Sequence, residues 1–183
     1  VRGQAPPGRL LTADIAARGW SHATSARLTT MDLPLFDQVD DLVHALTPDD
    51  LGQLHSRAHR RGVKVWFGSD RAPREHYEAQ VLARRHVDGI DGVALEIGFH
   101  AEHPDVARND AALERLQRAE KSWQRVLGRG AEMGPFYGAD NWRRLSEAWI
   151  EPDLDDPELA FEIASRLVDY LSAVQPLIST PEE

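Results

Sequence analysis

The chain has 183 residues, 42% of them hydrophobic and 28% charged, which is enough apolar material for one compact core and the composition of a soluble globular protein. There is no cysteine, so disulfides, thiolate zinc sites, iron–sulfur clusters and cysteine nucleophiles are excluded, and any metal must sit on His, Asp or Glu. The net charge of -9 disfavours general nucleic-acid binding, because phosphate neutralisation needs several cations on one surface, and the 21 basic residues come as short pairs among acids.

No apolar run approaches the roughly 20 residues that span a bilayer. The opening VRGQAPPGR has no apolar segment behind it to act as a signal peptide. The expected location is therefore cytoplasmic, without membrane association. Val1 in place of an initiator Met leaves open that the chain is a piece of a longer protein.

Residues 1–30 are rich in Gly, Pro, Ser, Thr and Ala and read as an irregular arm, with a short helix around Thr12 to Arg18 and Trp20 as its anchor. Residues 31–183 read as a single α+β domain. From Pro34, the positions Leu35, Val39, Leu42, Val43 and Leu46 fall on one face of a helix. Thr47-Pro48-Asp49-Asp50 then has the form of a helix start, Leu51, Leu54 and Ala58 continue an apolar stripe, and Arg60-Arg61-Gly62 looks like a helix end. A second helix ending at Gly62 is the expectation.

Val63 to Phe67 alternates as a strand closed by Gly68-Ser69-Asp70. Residues 75–87 and 93–102 form the arms of a hairpin around Asp88 to Gly92. Tyr77, Ala79 and Val81 share an apolar face with Val93, Leu95, Ile97, Phe99 and Ala101. Pro104-Asp105 opens a long helix with Leu113, Leu116, Trp123 and Leu127 as its seam. Gly134 to Gly138 reads as a turn, and Trp142 to Ile150 as a fourth strand. In the last helix Asp156 is the cap, Pro157 the first residue, and Ala160, Ile163, Ala164, Leu167, Val168, Leu171 and Val174 the stripe before Pro176. The predicted order is α-α-β-β-β-α-β-α: a small antiparallel sheet of three to four strands, covered on one face by helices.

The opposite hairpin face carries His76, Glu78, Gln80, Glu96, His100 and Glu102. Residue pairs summing near 178 set His76 opposite Glu102 and Glu78 opposite His100, with opposed β-carbons about 5 Å apart. Such spacing suits a divalent metal on His76, Glu78 and His100, with Glu96 as catalytic base for a bound water. Trp66, Gln80 and Glu102 would contact a ligand or partner. The competing expectation is a solvated face stabilised by cross-strand pairs such as His–Glu and Arg84–Glu96.

His55 and His59, one helical turn apart, have only arginines nearby and read as a solvated helix face. The acid followed by Glu-x-Lys that a nuclease site would want is not met, since Gly98 stands where the lysine would be. No phosphate-cradling glycine loop or nucleophile elbow is present. The functional expectation is a non-catalytic binding or regulatory domain, without a cofactor, whose partner is a protein, a small molecule or a second copy of the chain. The alternative is a metal-dependent hydrolase or nuclease using the His/Glu cluster.

Overall fold

The computed structural model describes residues 23–82 and 93–179; the side chains are described from Leu35 onward. The contacts divide the chain into two units, Val1–Thr30 and Met31–Glu183. In the first, Ala23–Thr30 is helical; the short helix expected at Thr12 to Arg18, and Trp20, lie outside the described residues. The second unit holds a six-stranded antiparallel sheet, in the order β1-β2-β3-β4-β6-β5. Its strands are β1 (Leu54–His59), β2 (Gly62–Phe67), β3 (Glu75–Leu82), β4 (Ala94–Ala101), β5 (Glu132–Phe136) and β6 (Ala139–Ile150). The helices are α1 (Ala23–Leu46), α2 (Val106–Arg118), α3 (Glu120–Leu127) and α4 (Leu159–Ile178). The α+β class and the antiparallel sheet agree with the sequence reading, but there are six strands in place of three to four.

Two local misreadings account for the extra strands. The segment read as a second helix is a short 3-10 turn, Asp49–Leu51, followed by β1. Gly52, at φ 108, adopts a backbone conformation no helix contains, and ends the turn there. Arg60 and Arg61 form a two-residue hairpin loop between His59 and Gly62. Gly62 is not a helix cap: a β-carbon there would lie 2.5 Å from the Ala79 carbonyl oxygen, so it permits the close approach of β3. Likewise only Tyr137-Gly138 turns the chain between Phe136 and Ala139, with Gly138 at φ 74. The residues before it form β5, an edge strand whose register slips at Pro135/Phe136, where proline cannot donate to a ladder.

The helices pack on the face formed by the alternating apolar residues. Val63, Val65, Tyr77, Ala79, Leu95, Ile97, Phe99 and Leu145 are buried there against Ile163, Ala164, Leu167, Leu171 and Val174 of α4, Leu116 of α2 and Trp123 of α3. Phe36, Val39 and Val43 of α1 join the same core, whereas Leu46, expected on that face, is largely exposed. The long helix expected from Pro104 breaks at Ala119 into α2 and α3; Asp105 caps α2 by accepting from the Ala107 amide at 3.0 Å. Asp156 accepts from the Glu158 amide at 2.9 Å just before α4. Pro176 falls inside the last turn of α4, which runs on to Ile178. Among the described residues, no helix is long and apolar enough to cross a membrane.

Candidate metal centre

The register of β3 on β4 pairs His76 with His100, Glu78 with Gly98 and Gln80 with Glu96. This differs by two residues from the expected pairing of His76 with Glu102 and Glu78 with His100. A two-residue slip keeps every side chain on its face. Arg84, the other half of an expected cross-strand pair, lies outside the described residues.

The polar face is not solvated. Glu96 and His100 are fully buried, His76 is 1% exposed and Glu78 5% exposed. Cover over His100 comes from the β5–β6 hairpin, where the Phe136 ring meets the imidazole edge-to-face at 4.9 Å and in turn contacts Trp142 at 5.9 Å. Arg144, opposite His100 on β6, stacks its guanidinium 4.1 Å over the Tyr137 ring.

Four side chains converge on this face. One ligand atom from each of His76, Glu78, His100 and Glu102 lies within 4.8 Å of the others. His76 Nε2 is 3.5 Å from Glu78 Oε2 and 3.7 Å from Glu102 Oε1. His100 Nδ1 is 3.7 Å from Glu78 Oε2 and 3.9 Å from Glu102 Oε1. Donors about 2.0–2.1 Å from a tetrahedral zinc ion would be separated by roughly 3.4 Å. The four histidine–carboxylate edges exceed that by a few tenths of an ångström, and all the separations stay within 4.8 Å.

The neighbouring groups orient these donors. Glu96 and His100 sit four residues apart on one strand, about 13 Å by backbone rise. They still meet through their side chains: His100 Nε2–H donates to both Glu96 oxygens at 2.9 and 3.0 Å. That bond fixes the ring with Nδ1 toward Glu78 and Glu102, the arrangement in which a carboxylate orients a metal-ligating histidine. Gln80 donates to Glu96 Oε2 at 3.3 Å. His59 holds Glu78 Oε1 at 3.0 Å, leaving Oε2 to face the cluster. Lys64, across from Glu78 on β2, places Nζ 3.4 Å from Glu78 Oε2 and 3.5 Å from Glu102 Oε2.

Charge follows this geometry. Burial lowers the His76 pKa, which keeps its imidazole neutral, the ligating form. Burial would raise the Glu78 carboxyl, but the surrounding imidazoles of His100, His59 and His76 outweigh it and hold Glu78 well below the usual carboxylate range. For His100 burial opposes the charged form, and the carboxylates of Glu96 and Glu78 overcome it, pushing the pKa up to about 10. Both ring nitrogens of His76, and His100 Nδ1, are buried without a hydrogen-bond partner. Buried polar atoms are seldom left unpaired.

Of the residues singled out from the sequence, His76, Glu78, His100 and Glu102 meet, with Glu102 as a candidate ligand. Glu96 and Gln80 stand behind them. Trp66 does not join: it is 6% exposed, donates Nε1–H to the Ser69 carbonyl at 2.8 Å and stacks on His55 at 5.9 Å. A separate open groove there is lined by His55, Ser56, Arg57, Trp66, Asp70, Arg71 and Ala72. The sequence reading gave no role to His59 or Lys64; His59 was hidden by the helical reading of its segment. No protein-family model, curated protein or solved structure matches this chain.

Proposed function

We propose that this chain is a non-catalytic metal-binding domain, holding one divalent ion of the zinc class on His76, Glu78, His100 and Glu102. The observation that carries this reading is His76: an imidazole that is 1% exposed, with Nδ1 unpartnered and Nε2 aimed between two carboxylates, no nearer than 3.5 Å to either. An unpaired polar group at such depth costs about 1–3 kcal/mol, which a coordinate bond would relieve. Two imidazoles and two carboxylates supply four nitrogen and oxygen donors, the number a closed tetrahedral zinc site needs. The ion would join β3 to β4 across the polar face. Glu96 supports the same reading, since its oxygens are engaged by His100 and Gln80 and serve to orient a ligand.

A second reading, a metal-dependent hydrolase, is favoured by one feature. The side chains of Lys64 and Glu102 are 17% and 15% exposed, the most open part of the cluster, where an anionic substrate would enter if Glu102 swung aside. Cobalt substitution separates the two. A closed site gives the intense visible absorption of four-coordinate Co²⁺, unaltered by added azide or phosphate, whereas an open one responds to these anions.

The primary test is metal content and thermal melting. The expected result is one equivalent of Zn²⁺ per chain after reconstitution, and a melting temperature that rises with Zn²⁺ and falls with EDTA. Absence of stoichiometric uptake, or melting indifferent to chelation, overturns the proposal.

A further inference from the structure

We infer that Lys64 is the cation that Zn²⁺ displaces: the chain carries its own competitor for the metal, and loading the site drives the Lys64 ammonium off Glu78. The inference rests on the metal reading above and deepens it.

The argument turns on which oxygen each cation uses. Glu78 has one free oxygen, because Oε1 is held by His59 at 3.0 Å. The other, Oε2, faces His76 Nε2 at 3.5 Å and His100 Nδ1 at 3.7 Å, and is also the atom that Lys64 Nζ approaches at 3.4 Å. Metal and ammonium thus need the same oxygen. Two cations sharing one oxygen in a buried setting repel strongly, and a divalent ion with four donors prevails over a single ammonium contact.

Glu102 differs. It turns Oε1 toward the two histidines and Oε2 toward Lys64 at 3.5 Å, so it can hold both cations at once. Lys64 therefore has somewhere to go. Its side chain is 17% exposed, on a flexible four-carbon stem, and can pivot about Glu102 Oε2 toward solvent. Before loading, the ammonium offsets the mutual repulsion of Glu78 and Glu102. After loading, the metal does so, and the β1–β2 side of the site presents one more free cation.

The chain is well suited to a direct test, because Lys64 and Lys121 are its only lysines and Lys121 is exposed. Acetylation with an N-hydroxysuccinimide ester, mapped by mass spectrometry, reads the reactivity of Lys64 against Lys121 as internal reference. With Zn²⁺ the ratio is expected to rise severalfold. Lys64→Met, which keeps the stem and removes the charge, should bind Zn²⁺ about tenfold more tightly in competition with a chromophoric chelator. Zn²⁺ uptake with an unchanged or lower labelling ratio, or with Lys64→Met no tighter than wild type, overturns this inference and leaves the metal site standing. A wild-type chain that takes up no Zn²⁺ overturns both.

Discussion

Replacing His76 by leucine should move stability in opposite directions with and without metal. In the metal-free chain the imidazole is buried with both nitrogens unpaired, and the nearest carboxylate oxygens stand at 3.5 and 3.7 Å. Leaving a buried polar group unsatisfied costs about 1–3 kcal/mol, and a leucine of similar size removes that cost while keeping the burial. The two carboxylates do not become orphans, since Glu78 keeps His59 and Lys64, and Glu102 keeps Lys64. At about 2–4 °C per kcal/mol for a domain of this size, His76→Leu in EDTA should melt roughly 2–12 °C above wild type. With Zn²⁺ at about a hundredfold over its Kd, wild type gains about 2.7 kcal/mol, or roughly 5–11 °C. The variant, missing a ligand, gains little. Differential scanning calorimetry in EDTA and in Zn²⁺ follows both. A variant less stable than wild type in EDTA, or one with an undiminished Zn²⁺ shift, would refute the reasoning, because either result means the ring is already satisfied without metal.

Three further outcomes follow from the geometry. Glu96→Gln keeps the shape but takes the charge from behind His100, and should weaken Zn²⁺ binding about 10–100-fold in a chelator competition; a change under twofold would mean that Glu96 does not orient the ring. Gly98→Ala would set a β-carbon 2.3 Å from Ser146 Cβ and 2.4 Å from the Leu145 carbonyl oxygen, forcing β4 and β6 apart. A loss of about 3 kcal/mol in urea unfolding is expected, against about 0.5 kcal/mol or less for Gly134→Ala, where an added β-carbon meets nothing within 4 Å. Leu167→Ala, at a fully buried position of α4, should cost about 2–5 kcal/mol. It lies on the far face of the sheet from the cluster, so its Zn²⁺ affinity should match wild type.

The alternation along 75–82 and 94–101 was legible because a strand has a period of two, and that alone separates Tyr77, Ala79, Ile97 and Phe99 from His76, Glu78, Glu96 and His100. What lies over a face is not a property of its period. The burial of His100 depends on Phe136 and Trp142, brought over it by a hairpin some forty residues later whose first strand, holding Pro135, has no strand-like pattern. The misread second helix has a different cause. Leu51, Leu54 and Ala58 fit helical spacing, but Leu54, Ser56 and Ala58 equally fit a strand. The choice is made by Gly52 at φ 108 and by pairing with β2. That choice matters for the site: a helix would have kept His55 and His59 together, while the strand sends His55 to Trp66 and His59 to Glu78.

The convergence of His76, Glu78, His100 and Glu102 withstands a register error, and the reason is geometric. Sliding β3 by two residues along β4 turns directly opposed pairs into diagonal ones. Diagonal neighbours remain about 7–8 Å apart at the backbone, within reach of long side chains. His76 and Glu102, expected face to face, stand diagonally and still come to 3.7 Å; Glu78 and His100 likewise. The slip changes which residue fills the centre of the pattern. Glu78 now faces Gly98, while His100 and Glu96 meet along their own strand. A side chain at 98 would press on Ser146 and Leu145 of β6, so Gly98 permits the close approach of β6 to β4 beside the cluster. The alternation therefore names the residues that share the face, while which of them meet, and under what cover, is set by the register of β3 on β4 and by the β5–β6 hairpin.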